Sequence, residues 1–266
     1  YYNTSSGSFK AIKSGGAPIG TWSSGGTMNT ARSDLSAAVF GPSSAGLGIG
    51  GYNPPGSPSA RAITESYNGS SWTEVADLNT GRWIAAGFGT QTSAVNSCGC
   101  TSDSSNFTAE AETWNGSSWT AAPDVNTTRR SYGASGASST SGLMFGGRNV
   151  PAYFAVTESW DGSSWTEVGD LNTARAYMAG NGTQTSAVTA SGLAPSPTTV
   201  SETWNGSSWT EITELSTARH DASMFGSGNT DAIISGGSPN PKALTEYWDG
   251  SSWTEVADRA SAMNAG

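Results

Sequence analysis

The chain has 266 residues, of which 12% are charged, and its formal net charge is −9. A chain so poor in basic residues cannot neutralise a row of phosphates, so no nucleic-acid partner is expected. It also has no run of apolar residues long enough to span a bilayer, so no membrane insertion is expected. Gly, Ser, Thr and Asn dominate, a polar composition that by itself reads as disordered. Eleven Trp, eight Tyr and seven Phe point the other way, because each large aromatic drives substantial burial.

In chain order, residues 1–26 contain SGSFKAI and APIGTWSSG, weak copies of the later strands of the units that follow, with Trp22 ten residues ahead of Arg32. Five tandem units then run at about 27–76, 77–123, 124–169, 170–213 and 214–257. Each ends on a segment such as ESYNGSSWTEV, ETWNGSSWTAA or EYWDGSSWTEV, which sets Trp72, Trp119, Trp165, Trp209 and Trp253 in one frame. With Trp22 included, the Trp-to-Trp spacings are 50, 47, 46, 44 and 44 residues. The next unit opens ten residues on with Arg82, Arg129, Arg175 or Arg219. After that arginine comes a small-residue strand such as RAYMAG, then a polar turn such as GTQTS. A short strand ending in glycine follows, LGIGG, LMFGG or IISGG. A variable loop leads to a Thr/Glu/aromatic strand, and Asn-Gly or Asp-Gly makes the turn into the final strand, an expected type I′ hairpin. Residues 258–266, RASAMNAG at their end, read as one more first strand. Four short antiparallel strands per unit make the blade of a β-propeller, so the whole of 1–266 is expected to be one all-β domain.

The repeat resembles the kelch family, and its wording resembles kelch-like repeat proteins of environmental phages and bacteria. The residues that carry the likeness are the double glycines Gly50-Gly51, Gly146-Gly147 and Gly236-Gly237, the repeat Trp, and the aromatic five before it (Tyr67, Trp114, Trp160, Trp204, Trp248). SCGC and TASGL depart from it, keeping Gly99 and Gly192 alone. The family implies a propeller and leaves function open. Five full four-stranded repeats are expected, with a split sixth blade assembled from 1–26 and 258–266. A five-bladed ring with an N-terminal extension, and terminal strands exchanged with a neighbouring copy, are the alternatives.

The repeat Trp is expected to pack between blades, and the repeat arginines (Arg32, Arg82, Arg129, Arg175, Arg219) to serve the frame with the repeat Glu. A group needed five times is structural rather than catalytic. Length varies in one place only: the gap from the second-strand glycine to the third-strand Glu shrinks from 14 residues in the first unit to 9 in the fifth. The loops 52–62, 100–109, 148–155, 193–200 and 238–243 therefore share one face with the unlike residues after each arginine, Ser33, Trp83, Arg130, Ala176 and His220. Tyr52, Trp83, Tyr132, Tyr153, Tyr177 and His220 are the candidate binding residues of that face, since aromatics suit stacking on sugars or packing on a partner.

No catalytic motif, metal site or cofactor is expected: His220 is the single histidine, and no phosphate loop or nucleophile motif is present. Cys98 and Cys100 are read as a tight disulfide, a reduced pair, or part of a metal site with other ligands. Seven sequons occur, three of them in the NGS turns at Asn68, Asn115 and Asn205. The reading is a non-enzymatic extracellular or virion surface protein that presents its loops to a glycan or protein. The alternatives are a homo-oligomeric or filament subunit joined through its terminal strands, and a carbohydrate-active enzyme with its site in the channel.

Overall fold

The run behind each repeat arginine is built of glycine, alanine and serine, and it forms the innermost strand of a four-stranded antiparallel sheet. In the computed structural model, which describes residues 2–3, 8–9, 25–38, 40–52, 60–102, 106–239 and 243–259, five such sheets follow one another as the blades of a β-propeller. Blade I is Ser36–Ala38, Gly46–Ile49, Thr64–Tyr67 and Trp72–Glu74. Blade II is Ala86–Thr90, Ser93–Ser97, Ala111–Trp114 and Trp119–Ala122. Blade III is Gly133–Ser138, Ser141–Phe145, Thr157–Trp160 and Trp165–Val168. Blade IV is Ala179–Gly182, Ala187–Ala190, Ser201–Trp204 and Trp209–Glu211. Blade V is Ser223–Gly228, Asp231–Ser235, Thr245–Trp248 and Trp253–Val256. No helix occurs among the described residues. The split sixth blade expected from 1–26 and 258–266 falls mostly outside the described residues; within them, Tyr2–Asn3 pairs with Ser8–Phe9.

Second strands alternate their side chains between two blade junctions, as a period of two requires. In blade III, Leu143 and Phe145 point into the junction with blade IV, while Met144 between them packs back toward blade II. Each junction is closed by a repeat Trp: Trp119 against Leu47 and Ile49, Trp165 edge-on to Phe88 at 6.3 Å, and Trp209 edge-on to Phe145 at 4.8 Å. The Trp119 and Trp209 indoles also donate across the junction, to Thr64 Oγ1 (3.1 Å) and Thr157 Oγ1 (3.0 Å).

The repeat arginine and glutamate form one buried ion pair per blade: Arg32–Glu65, Arg82–Glu112, Arg129–Glu158, Arg175–Glu202 and Arg219–Glu246. In blade III, Glu158 accepts from Arg129 Nη1 (2.6 Å), from the Asn126 backbone (2.8 Å) and side-chain amide (2.9 Å), and from the Thr127 N–H (3.1 Å). Those donors are what make burial of the carboxylate tolerable, and removing one partner of such a pair costs about 3–5 kcal/mol. Blade V departs from the pattern, because Ser216 stands where the other blades have Asn and offers only its backbone N–H (2.9 Å).

The hairpin turns differ from the expected type I′. The strands close on Trp114 opposite Trp119, leaving a four-residue loop, 115–118, and only its glycine has positive φ (Gly116, +96°). The side chain of Asn115 bends the chain instead, accepting from the backbone N–H groups of Ser117 (2.9 Å) and Ser118 (3.0 Å). Aspartate does the same work at Asp161 and Asp249, so the Asn/Asp interchange reflects an Asx turn.

Candidate functional site

The loop face is built on short rungs where the variable loops cross the start of each inner strand. Backbone bridges join Ser33–Tyr52–Ala60 in blade I, Trp83–Cys100–Phe107 in blade II, and Ala176–Leu193–Pro197 in blade IV. Blade V contributes His220–Ser238. In blade III, Arg130 lies opposite Arg148, which pairs in turn with Tyr153 in a small hairpin, Arg148–Asn149 with Ala152–Tyr153. Its tip carries Val150, half exposed to solvent.

The second glycine of each pair anchors its rung to the frame. Gly51, Gly99, Gly147, Gly192 and Gly237 have φ from +93° to +121°, and a Cβ there would lie 2.6–3.0 Å from the carbonyl oxygen of Ser33, Trp83, Arg130, Ala176 or His220. Only glycine fits both limits. The first position, at φ from +53° to +81°, is left-handed helical and admits a strained L-residue, which is how Cys98 and Ser191 are tolerated there.

Inside the rungs, the second residue after each arginine also adopts a left-handed conformation: Asp34, Ile84, Ser131, Tyr177 and Asp221, with φ from +50° to +56°. None is glycine, and each such residue stores about 1 kcal/mol or more of strain. All five line the mouth of the central channel. Backbone bonds join three of the blade pairs around it, Ile84 N–H to Asp34 O (3.0 Å), Tyr177 N–H to Ser131 O (2.6 Å) and Asp221 N–H to Tyr177 O (2.9 Å). Below the mouth, the inner strands enclose a cavity of about 670 Å³, which extends along the flank of blade I to Tyr67 and Trp72.

Rings and guanidinium groups are in contact across consecutive blades. Tyr52 and Trp83 have centroids 5.1 Å apart, Arg130 lies 5.2 Å from the Phe107 ring, and Tyr177 and His220 are 6.0 Å apart. Arg148 is 5.2 Å from the Tyr153 ring and 5.8 Å from that of Tyr177. The Trp83 indole N–H is buried without a partner among the described residues. His220 Nδ1 lies 2.8 Å from Asp221 Oδ2. Burial pushes the Asp221 carboxyl above its ordinary range, with the Asp34 charge adding to the rise and the His220 contact opposing it. Among the described residues no three His, Cys, Asp or Glu side chains are placed to hold a metal ion.

Five of the six candidate residues, Tyr52, Trp83, Tyr153, Tyr177 and His220, therefore lie on this face. Tyr132 borders the channel mouth but is buried and turned inward, its hydroxyl donating to Ser97 O and accepting from the Ala86 N–H (2.9 Å), a tie between blades II and III. It follows the arginine by three residues rather than two, which turns its side chain inward. Cys98 and Cys100 are both fully buried and form no disulfide; burial pushes the Cys98 thiol up to about 11. Sequence reading placed Phe107 and Arg148 on the face only as unnamed members of the loops 100–109 and 148–155, and it missed Asp221. Asp221 had a signal, its fixed distance from Arg219, whereas Phe107 and Arg148 sit in loops of unequal length with no frame to align them.

No protein-family model matches the chain, and no curated protein matches it. The solved structure of YjhT is similar to it, with a TM-score of 0.67 at 13% identity, covering 85% of this chain and 84% of that one. At that identity the likeness is one of fold, a β-propeller.

Proposed function

We propose that the chain is a kelch-like, non-enzymatic recognition scaffold of an extracellular or virion surface, which holds a glycan or protein partner on its loop face. One observation carries the reading: the side chains that differ from blade to blade, Trp83, Arg130, Arg148, Tyr177 and His220 among them, gather on that face and contact one another there, while the opposite face repeats. The opposite turns repeat nearly word for word and close on their own Asx bonds. The rungs, set on an equally regular frame, share no residue type at their first position. A uniform frame under non-uniform side chains is the division of labour that recognition loops on a rigid scaffold display. Surface placement is supported by the composition, rich in Ser, Thr and Gly and with three lysines.

Glycan-array binding with variants tests this. Trp83→Ala and Tyr177→Ala should each weaken binding about tenfold, the scale of a hot-spot contact, with circular dichroism unchanged. Ser117→Ala and Ser207→Ala, on the opposite turns, should leave it alone. Equal losses from both faces would refute the assignment.

A second reading, an enzyme acting at the channel mouth, is favoured by the His220–Asp221 contact and the raised Asp221 carboxyl. It predicts turnover of a bound saccharide that Asp221→Asn abolishes while binding persists.

A further inference from the structure

The rung of blade III is unlike the other four. Arg130 and Arg148 are directly opposed, each donating its backbone N–H to the other's carbonyl oxygen (3.0 and 2.9 Å). Residues paired in this way share one face of a ribbon, so two like charges stand side by side, an arrangement that is destabilising unless something lies between them. The frame arginines show what this protein does with a buried guanidinium, since all five meet a carboxylate. Neither Arg130 nor Arg148 has a carboxylate within ion-pairing distance among the described residues, and this, not the unpartnered Nε that Arg32, Arg129, Arg175 and Arg219 share with them, sets the two apart from the frame. Arg130 is only 9% exposed. In a chain of net charge −9, two arginines that meet no carboxylate among the described residues stand together on the loop face, where an anion from outside can reach them.

The surroundings narrow its nature. Each guanidinium lies against an aromatic ring, Phe107 for Arg130, and Tyr153 and Tyr177 for Arg148. That packing holds the planar groups in place and leaves their outer N–H groups to make paired bonds to a planar or tetrahedral oxyanion. Beside them stand ring faces suited to stacking on a pyranose. A polynucleotide would need a longer basic track than two residues.

We propose that this rung binds an oxyanion carried by an acidic saccharide, a uronic carboxylate or a sulfate ester, gripped between Arg130 and Arg148; this deepens the recognition reading above and rests on it. The test measures affinity of the full chain for hyaluronan (carboxylate only), chondroitin sulfate (carboxylate and sulfate) and dextran (neutral), by calorimetry at two salt concentrations. One or both acidic polymers should bind, more weakly at high salt, and dextran at least tenfold more weakly still. Arg148→Gln and Arg130→Gln should each lose at least tenfold, and Arg148→Lys, which keeps the charge but not the fork, should also lose affinity. Because Arg130→Gln is buried and could unfold, Arg148→Gln with an unchanged melting curve is the decisive variant. Hyaluronan binding as well as chondroitin sulfate identifies the carboxylate, and chondroitin sulfate alone identifies the sulfate. If dextran binds equally well and depends on Trp83 and Tyr177 but not on the arginines, the face recognises sugars and the oxyanion site is wrong. If no saccharide binds, or single-stranded DNA binds in preference, the oxyanion site is wrong, while recognition of a protein partner on the same face stands or falls on its own test.

Discussion

Ser191 shows what a single residue pays for standing where other repeats have glycine. Its φ is +69°, its side chain is fully buried, and its hydroxyl has no partner among the described residues. Left-handed geometry costs an L-residue about 1–2 kcal/mol, and a buried unsatisfied hydroxyl adds about 1–3 kcal/mol. Glycine would relieve both, offset by about 0.4–1 kcal/mol of added unfolded-state entropy. Ser191→Gly should therefore stabilise the protein by at least about 1 kcal/mol and raise the melting temperature by at least about 2–4 °C; a lower melting temperature would show that the Ser191 hydroxyl is hydrogen-bonded. The double glycine was legible in the sequence, but its inequality was not. Which member of the pair may be replaced depends on φ and on a neighbouring carbonyl, neither of which a spacing encodes.

At the scale of elements, the Asx turn makes a pH prediction. The Asp161 carboxylate accepts from the backbone and hydroxyl of Ser163 and from the backbone of Ser164, and these bonds hold it down to about 2 from an ordinary 3.8. A folded value below the unfolded one means the turn's contribution is fully present above 3.8 and disappears as pH falls through about 2. Asp161→Asn keeps an acceptor at every pH, as Asn115 does. Urea unfolding at about pH 5 and about pH 2.5 should show the wild type losing stability relative to Asp161→Asn on acidification; parallel losses would mean the carboxylate is not held by the turn. Here the sequence located the hairpin and misjudged its mechanism, because Asn-Gly serves two-residue and four-residue loops alike. The small hairpin Arg148–Asn149 with Ala152–Tyr153 left no signal in RNVPAYFAV that separates it from an irregular loop.

Across the whole molecule, no blade holds a core of its own. The apolar clusters lie at junctions, and Trp209 binds blade IV to blade III through Leu143, Phe145 and Thr157. Trp209→Ala should cost about 3–5 kcal/mol, the scale of a large buried aromatic, and calorimetry should still show one cooperative transition. Two separated transitions would mean that the blades fold as independent units. At this scale the sequence was most informative, since a repeat dictates the same sheet five times. The loop-face site was half legible: the unlike residues after each arginine were visible in one blade at a time. Their contacts with the next blade, such as Arg148 with Tyr177, depend on how far the ring turns between blades.

The left-handed ring around the channel mouth has a consequence for how such a protein changes over time. Its five positions, Asp34, Ile84, Ser131, Tyr177 and Asp221, share one φ whatever the side chain, and each takes part in at least one of three backbone bonds between blades. A substitution there alters what the face offers without altering where it is offered. A blade duplicated or exchanged within the array would arrive with its rung already pointed at the same axis. The mouth behaves as a socket with interchangeable pins, and new specificities are reached by replacing pins while the frame stays untouched.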